Sequence, residues 1–486
     1  MNLKFLLKKC LLNYHDVNNH KVSKLANNSQ ECINNSIFFA VKGEKEDGHK
    51  YIHEAIIKGA KTIIYTDDVL KENYYINYLK VTDIKLIMAK MASVFYKDIS
   101  RKFYMVGITG TNGKSSIAQI LFDYLNSVNK KVVLIGTNGI YFNDEKLETV
   151  NTTPNILTIY EVLNRYYRQG ARFVVMEVSS IAIREKRVLD LDFNSIIFTN
   201  LGYDHLDYHQ SIIDYKFSKG LFLASLGYHK NKVIILNKDD KNYDFYHSIS
   251  NARGLSYGII QNGDVKAFQI TRNMMNTKFV IKDGKNNYLF KTNLIGDFNI
   301  SNTLASYLAL KEIHLSKEFS NFMKFYLPLD GRMNFIKWHN KMILIDFAHT
   351  PDGVKVVLEL LKTHYSSVWV VIGCGGNRDQ SKRRIMGKLC IDFADKVIFT
   401  NDNPRDEDEH LIMNDIISDI KDFDFQIIYD RKEAIEKALK ESEDESVVAI
   451  LGKGSEVGQI IKGKIYPFSD KEVVYNYINS VNKKSG

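Results

Sequence analysis

The hydrophobic positions of the chain fall into short strand-like runs that alternate with amphipathic, helix-length segments. Between 103 and 237 this alternation is typical of a mostly parallel sheet covered by helices. Three further apolar runs after 327 repeat it and predict a second α/β unit of Rossmann-like type. The predicted buried strands are 103–108, 132–135, 173–178, 195–198, 233–236, 368–372, 397–399 and 447–451.

Two other regions differ from this pattern. The first 98 residues read as a small mixed α/β unit, with strands at 36–41 and 60–65 and a short helix at 53–59. Residues 253–295 alternate polar with apolar positions and carry Asn262-Gly263 and Asp283-Gly284, which predicts antiparallel hairpins at a sheet edge. We therefore predict an α/β protein of three domains, 1–98, 99–327 and 328–486.

Composition narrows the class of protein. A chain of 486 residues with 45% apolar content suits about three packed domains. No apolar run approaches a membrane span and no secretory signal is present, so we expect a cytoplasmic protein without membrane insertion. The four cysteines lack metal or disulfide spacing, which indicates reduced thiols. The net charge of +9 comes from lysines interspersed with acids, so small acidic substrates are favoured over nucleic acid.

The string G-I-T-G-T-N-G-K-S over 107–115 lies between a predicted strand and a helix-patterned segment. This order exposes backbone N–H groups at a helix N-terminus, where they bind phosphate. Lys114 is placed to reach the terminal phosphates and Ser115 to hold Mg²⁺. A strict P-loop would have glycine where Ile108 stands, yet the surrounding pattern predicts nucleotide binding.

Two clusters follow later strands of the same region. Glu177 comes at the end of the 173–178 strand, where a carboxylate can supply a further Mg²⁺ ligand. His205 and His209 are four residues apart, as in a zinc helix, but Leu206 replaces the required glutamate and no cysteine lies near. One histidine at a phosphate-bound Mg²⁺ site is therefore favoured over zinc.

Together the motifs resemble those of the Mur ligases, over nearly the whole chain. The resemblance implies a cytoplasmic, monomeric enzyme of peptidoglycan synthesis that uses ATP and two Mg²⁺ ions. Such an enzyme activates a carboxylate as an acyl phosphate, which an amine then displaces. The matching strings are T-G-T-N-G-K-S, N-T-T-P at Asn151, E-V-S-S at Glu177, T-N-L-x-x-D-H-L-D-Y-H at Thr199, L-N-x-D-D at Leu236, G-D-F-N-I-S-N at Gly296, G-R-M at Gly331, D-F-A-H at Asp346, D-N-P-R at Asp402 and G-K-G at Gly452.

The resemblance also implies residue roles. Catalysis falls to Lys114, His205 and Lys219, the last as a carbamate, and the metal site to Ser115, Glu177, His205 and carbamylated Lys219. ATP would contact Gly110, Thr111, Asn112, Gly113, Lys114, Ser115, Ser116, Asn299, Arg332 and Asp346. The UDP-N-acetylmuramoyl-dipeptide would contact Ser29, the segment 38–48, Thr152, Thr153, Ser179, Glu185 and Arg187.

The choice of amino acid has a physical argument. Meso-diaminopimelate is lysine with a second carboxylate, so a site that selects it needs a cation that lysine would leave unpaired. Arg405 of the D-N-P-R string provides a fork-shaped guanidinium for that carboxylate. The resemblance to diaminopimelate-adding members of the family extends this amino-acid site to Arg378, Asp402, Asn403, Pro404, Gly452 and Glu456.

Five positions depart from the family pattern, and alternatives remain open. The departures concern the sugar-nucleotide and amino-acid regions: Ile181 and Ser455 replace histidines, Glu409 a proline, Gln30 an arginine and Glu185 a glutamine. One alternative keeps the ligase chemistry with L-lysine or another amine or acceptor, and Arg405 argues against lysine. Another is a silent nucleotide-binding homologue, against which the intact Lys114, Glu177, His205 and Lys219 argue.

Overall fold

The structure is a computed structural model that describes residues 1–12, 14, 16–43, 46–71, 73–205, 207–227, 231–273, 276–421 and 423–485. Its strands form sheets of four, eleven, six and two strands, and helices lie between them. The predicted α/β class is therefore confirmed. None of the helices in the described ranges is both long and apolar enough to cross a bilayer.

The leading unit is built on a small parallel sheet with the order β1-β2-β3-β4. The third strand of this sheet begins and ends at the predicted residues, 60 and 65. The helix predicted from residue 53 begins one residue earlier in the structure, at Ile52. The elements are α1 (Leu3–Lys9), β1 (Leu25–Ala26), β2 (Ser36–Phe39), α2 (Ile52–Ile57), β3 (Ala60–Tyr65), β4 (Asn77–Lys80) and α3 (Ile84–Phe95), with short 3-10 turns at Ser29–Glu31, Gly48–Tyr51 and Ile99–Lys102.

The central unit contains the eleven-stranded sheet and the helices that cover it. Its strands are β5 (Tyr104–Thr109), β6 (Val132–Gly136), β7 (Gly139–Phe142), β8 (Glu145–Leu147), β9 (Phe173–Glu177), β10 (Ser195–Phe198), β11 (Val233–Asn237), β12 (Arg253–Gly258), β13 (Val265–Arg272), β14 (Thr277–Asp283) and β15 (Asn286–Thr292). Its helices are α4 (Lys114–Ser127), α5 (Ile156–Arg168), α6 (Ser180–Arg184), α7 (Ile212–Ala224), α8 (Tyr243–Ser248), α9 (Asp297–Glu312) and α10 (Phe319–Phe325).

Parallel strands occupy the middle of this sheet, in the order β12-β11-β10-β5-β9-β6. Their side chains are buried on both faces, because α4 and α9 pack on one face and α5 and α7 on the other. This burial explains why the strands read as continuous apolar runs. The carboxyl ends of β5, β9 and β10 meet at one edge of the sheet, and the candidate active site described below lies at that edge.

One predicted hairpin is wrong. Asn262-Gly263 does not reverse the chain into an antiparallel pair: β12 pairs with β13 in parallel, over Tyr257 and Gly258 only. The Asp239 carboxylate accepts hydrogen bonds from the backbone N–H groups of residues 259–261, which turns the chain away from β12 before β13 begins. The Asp283-Gly284 hairpin between β14 and β15 forms as predicted.

The C-terminal unit is a six-stranded sheet with the order β16-β17-β21-β18-β19-β20, in which only the β16–β17 pair is antiparallel. Helices α11 to α13 pack on one face and α14 and α15 on the other, as expected of a Rossmann-like unit. The elements are β16 (Asn334–Trp338), β17 (Lys341–Asp346), α11 (Pro351–His364), β18 (Ser367–Ile372), α12 (Ser381–Phe393), β19 (Lys396–Phe399), α13 (Glu409–Ile417), β20 (Phe425–Ile427), α14 (Arg431–Glu441), β21 (Ser446–Leu451), β22 (Gly458–Ile461), β23 (Lys464–Pro467) and α15 (Asp470–Ser485).

The leading and central units share one hydrophobic core. Side chains of α1 and α3 cluster with those of α5 and with the α5-facing side of the central sheet. Tyr96, just after α3, stacks on the fully buried Tyr160 of α5 with ring centroids 6.0 Å apart. No break in packing marks the predicted boundary at 98, so the domain limits stay predictions.

Candidate active site

The glycine loop connects β5 to α4 in the predicted order. Gly110 and Gly113 have φ of 145° and 89°, a region that favours glycine. A Cβ on Gly110 would lie 1.9 Å from Thr199 Oγ1, so the loop also requires the missing side chain. Lys114 Nζ folds back to donate to the carbonyls of Gly110 and Thr111 at 3.0 and 2.8 Å. Burial lowers the pKa of Lys114, and the nearby carboxylates of Glu177 and Asp204 oppose this shift.

Glu177 lies at the end of β9 beside this loop, and its side chain is buried. Ser115 Oγ donates to its Oε2 at 2.7 Å, and the backbone N–H of Thr137 donates to its Oε1 at 2.9 Å. The two oxygen groups predicted to bind Mg²⁺ therefore already touch. Hydroxyl and carboxylate oxygens are the hard ligands that Mg²⁺ prefers, so this donor set fits the ion.

Asp204 and His205 follow β10 on the neighbouring strand end. His205 has a left-handed backbone with φ of 55°, and its Nε2 lies 3.4 Å from Asp204 Oδ2. The pKa of Asp204 is held well below its usual range by His205, Lys382 and other nearby cations, despite burial. Burial lowers the pKa of His205, and Asp204 opposes that effect. Asp204 was not among the predicted site residues, although its place in the D-H-L-D-Y-H string pointed to it.

The structure argues against zinc at the histidine pair. The fully buried His209 has both ring nitrogens engaged, with Asp214 Oδ2 at Nδ1 and Ser180 Oγ at Nε2, each at 2.9 Å. A zinc ligand needs one of these nitrogens free. His209 therefore holds α6 and α7 together, and of these two histidines it is His205 that lines the second cavity described below.

Lys219 extends from α7 into the core of the site and is 1% exposed. Its Nζ donates to the Gly110 carbonyl at 2.9 Å and lies 4.4 Å from the centre of the Tyr215 ring. Burial lowers the pKa of Lys219 well below its ordinary value, and Lys114 lowers it further. Both effects favour the neutral form of the amine over the ammonium form.

Two cavities meet at the glycine loop. The larger, of about 720 Å³, is lined by Asn112, Gly113 and Ser116 and by the predicted nucleotide residues Asn299, Arg332 and Asp346. Both carboxylate oxygens of Asp346 accept backbone hydrogen bonds, from Met333 and Ala348. The Arg332 guanidinium lies 4.4 Å from the Phe347 ring. The walls come from the central and C-terminal units, so the cavity lies between them.

The second cavity, of about 270 Å³, unites most of the remaining predicted residues. On its walls the central unit provides Lys114, Ser115, Thr152, Glu177, Ser179, His205 and Lys219, and the C-terminal unit provides Arg378, Asp402, Asn403, Arg405, Gly452 and Glu456. Gly110, Thr111, Asn112, Gly113, Ser116 and Arg332 also line it. Ser29, Thr153, Glu185, Arg187 and Pro404 are not among its lining residues.

The amino-acid end of this cavity is formed by the loop 402–405. Arg405, half-buried and at φ of 54°, donates from Nη1 to the Gly376 carbonyl at 2.8 Å. Burial lowers the pKa of Arg405, and the neighbouring Arg378 lowers it further. Strand β22 holds the loop: Ile460 O accepts from Arg405 N at 2.9 Å, and Gln459 Nε2 donates to Asp402 O at 2.7 Å. The β22–β23 hairpin was not among the elements predicted from the sequence.

The residues outside the second cavity have other contacts. Thr153 is fully buried behind it, where its carbonyl accepts from Arg187 Nη1 at 3.1 Å. Ser29 lies in the leading unit and donates to Glu54 at 2.7 Å. Glu185 is paired with Lys85 of α3 and accepts from Tyr208 at 3.0 Å. Residues 44 and 45 of the predicted 38–48 segment lie outside the described residues.

The other four departures lie outside the glycine loop 107–115. Glu409 binds the Asn401 amide, and Ser455 is exposed to solvent. Gln30 contacts Glu54 and accepts from Lys58 at 2.9 Å. Ile181 is partly buried in α6. None of the four lines the second cavity.

A glycine-loop α/β unit that shares a polar cavity with a Rossmann-like unit is the arrangement of a nucleotide-dependent enzyme that acts on small molecules. Family comparison agrees with this class: residues 108–310 match the Mur ligase middle domain, and 331–454 match the Mur ligase glutamate ligase domain. The chain belongs to the Mur ligase family.

Similar proteins cover nearly the full length. A UDP-N-acetylmuramoyl-L-alanyl-D-glutamate–2,6-diaminopimelate ligase of Oceanobacillus iheyensis is 33% identical, over 98% of this chain and 99% of its own. One of the same name from Aquifex aeolicus is 35% identical, over 98% and 95%. A solved structure of that name has a TM-score of 0.66 at 26% identity, covering 94% and 95%. MurF of Thermotoga maritima in complex with ADP shares the fold, with a TM-score of 0.66 at 17% identity over 95% and 98%.

Proposed function

We propose that this chain joins meso-diaminopimelate to UDP-N-acetylmuramoyl-L-alanyl-D-glutamate at the expense of ATP, in the synthesis of peptidoglycan. The observation that carries the proposal is the second cavity, where Lys114 and Glu177 of the central unit face Arg405 of the C-terminal unit. A phosphate-handling site and a carboxylate-binding site thus share one reaction space. The full-length similarity to ligases of that name supports it.

In the first step a carboxylate oxygen of the dipeptide attacks the γ-phosphorus of ATP, and the bond from that phosphorus to ADP breaks. The reaction brings anions together, so positioned cations supply most of the catalysis. Lys114 and Arg332 both line the second cavity, where they would neutralise the phosphate. Ser115, Glu177 and His205 would hold Mg²⁺, which supplies further charge neutralisation when bound.

Lys219 is proposed to act as a carbamate. Its neutral amine can add to carbon dioxide, forming an N–C bond and releasing a proton. This converts a buried group beside the cation Lys114 into an anion. The low pKa of Lys219 favours the addition, because only the unprotonated amine reacts. The resulting carboxylate would join Glu177 at the metal site.

In the second step the amine of diaminopimelate attacks the acyl carbon. A C–N bond forms, the C–O bond to phosphate breaks, and the amine loses a proton. Arg405 and Arg378 would pair with the distal carboxylate, and Glu456 with the distal ammonium. L-Lysine lacks that carboxylate and would leave two clustered guanidinium groups unpaired.

The remaining residues would bind the two nucleotides. Asn299 and Asp346, on the walls of the larger cavity, would hold the adenosine part of ATP. Thr152, Ser179 and Arg187 would grip the dipeptide. The leading unit, with Ser29, would bind the uridine diphosphate.

The test measures phosphate release with ATP, Mg²⁺ and the UDP-linked dipeptide, adding either meso-diaminopimelate or L-lysine, and identifies the product by mass. We expect rapid release and a tripeptide product with diaminopimelate, and only slow release with L-lysine at high concentration. Lys114→Ala should abolish turnover while the fold is kept, and Lys278→Ala, an exposed lysine of β14, is the matched control. Equal rates with lysine would refute the substrate assignment. If the protein is folded and binds ATP but shows no turnover with either amino acid, the proposed ligase activity is refuted.

A further inference from the structure

Lys453 is a buried lysine to which the proposed reaction assigns no role. It lies between Gly452 and Gly454 in the loop after β21, and it is 0% exposed. The two glycines have φ of 112° and 55°, and a Cβ on Gly454 would lie 2.7 Å from the Gly331 carbonyl oxygen. The G-K-G string thus forms a tight turn that directs the lysine inward.

The Lys453 ammonium is bound by two residues of the amino-acid site. Nζ donates to Asn403 Oδ1 at 3.1 Å and to Glu456 Oε2 at 2.8 Å. Asn403 and Glu456 line the second cavity, whereas Lys453 lies behind them. Lys453 therefore reaches the substrate only through these two side chains.

These bonds fix how Asn403 is oriented. Its Oδ1 faces two donors, Lys453 Nζ and the backbone N–H of Ile460 at 2.9 Å. Its Nδ2 must then face an acceptor, and it donates to Glu456 Oε2 at 2.9 Å. A flipped amide would set its NH₂ group against two donors, so only one orientation is compatible with Lys453.

The same bonds fix which oxygen of Glu456 serves the cavity. Both Lys453 and Asn403 donate to Oε2. In the part of the chain that the structure describes, no group donates to Oε1, which remains available to a ligand. The Glu456 side chain is 39% exposed, so a ligand can reach it.

We propose that Lys453 is a positioning residue for amino-acid recognition, because it locks Asn403 and Glu456 in the arrangement that presents Glu456 Oε1 to the ammonium group of the incoming diamino acid. The inference rests on the proposed function and adds a residue to it. Without Lys453, Asn403 Oδ1 keeps only the Ile460 N–H, and Glu456 can turn either oxygen to the Asn403 amide. The site then loses its single geometry for the ammonium group.

The test is Lys453→Met, which keeps the length of the side chain and removes its donors. We expect the KM for meso-diaminopimelate to rise by about ten- to hundredfold, the range of one or two lost charge-assisted hydrogen bonds. The KM for ATP and for the UDP-linked dipeptide should stay within about twofold, since those sites lie elsewhere. Lys464→Met, an exposed lysine of β23, is the matched control.

A double-mutant cycle separates positioning from a merely structural role. If Lys453 acts through Glu456, Lys453→Met should add little to the effect of Glu456→Gln; independent destabilisation would add in full. Lys453→Gln serves the same cycle if Lys453→Met does not fold. An unchanged KM for diaminopimelate, or full additivity, overturns the role of Lys453. Failure of the unsubstituted enzyme to use diaminopimelate refutes the proposed function instead.

Discussion

Replacement of Arg405 by methionine tests the basis of amino-acid selection. Guanidinium Nη1 donates to the carbonyls of Gly376 at 2.8 Å and Asn403 at 3.5 Å, and within the described residues Nε and Nη2 have no such partner, so they can pair with a carboxylate in the cavity. Two charge-assisted hydrogen bonds at about 1.5 kcal/mol each give about 3 kcal/mol. At about 1.4 kcal/mol per factor of ten, Arg405→Met should lower kcat/KM for meso-diaminopimelate by about 150-fold. L-Lysine makes neither bond, so its kcat/KM should not fall.

The assay follows phosphate release at several concentrations of each amino acid, with ATP and the UDP-linked dipeptide saturating. Arg384→Met is the matched control, because Arg384 is exposed on α12 and does not line the cavity. The backbone of residue 405 is held by Ile460, so the loop should survive the substitution. An equal loss with both amino acids would refute the reasoning, since it would assign Arg405 a role in the chemistry common to both.

Three further outcomes follow from other buried groups. Arg431→Leu leaves Asp470 without its partner at a place where both side chains are 0% exposed, so chemical denaturation should show a loss of about 3–5 kcal/mol in the free energy of unfolding. The partly exposed Lys437→Met should lose under about 0.5 kcal/mol, and a loss below about 1 kcal/mol for Arg431→Leu would contradict the prediction. Burial lowers the pKa of His349 from 6.5 in the unfolded chain to about 4 in the folded protein. As pH drops from 6.5 towards 4, the unfolded chain binds a proton that the folded protein does not, so the free energy of unfolding falls. In His349→Gln the free energy of unfolding should fall less over this pH range, and an equal fall in both proteins would refute the link between His349 protonation and stability. Activity should fall in carbon dioxide-free buffer and return with bicarbonate if Lys219 is carbamylated; indifference to bicarbonate would exclude it.

Much of the fold could be predicted because buried parallel strands leave continuous apolar runs. Strands β3 and β10 were predicted to the residue. The Asn262-Gly263 turn was misassigned because its conformation depends on Asp239, which lies outside the local pattern. Turn propensity is a local signal, whereas this contact is a tertiary one.

The candidate site likewise combines residues that sequence motifs could predict with one that depends on tertiary contacts. Ordered motifs predicted Lys114, Glu177, His205 and Lys219, which the structure brings to one cavity. Their roles remain predictions. Lys453 could not be found in this way, because a lysine between glycines gives no sign of burial. One of its two partners, Asn403, comes from a loop 50 residues earlier in the chain, and periodicity does not report such a contact.

The shared core of the leading and central units has a consequence for how the enzyme can be divided. A chain that started at residue 99 would uncover the face of α5 on which Tyr96 stacks, and it would leave Glu185 without Lys85. Such a fragment would expose a broad apolar surface and should aggregate. The leading unit therefore contributes to the solubility of the central unit, whereas the C-terminal unit buries apolar residues on both faces of its own sheet.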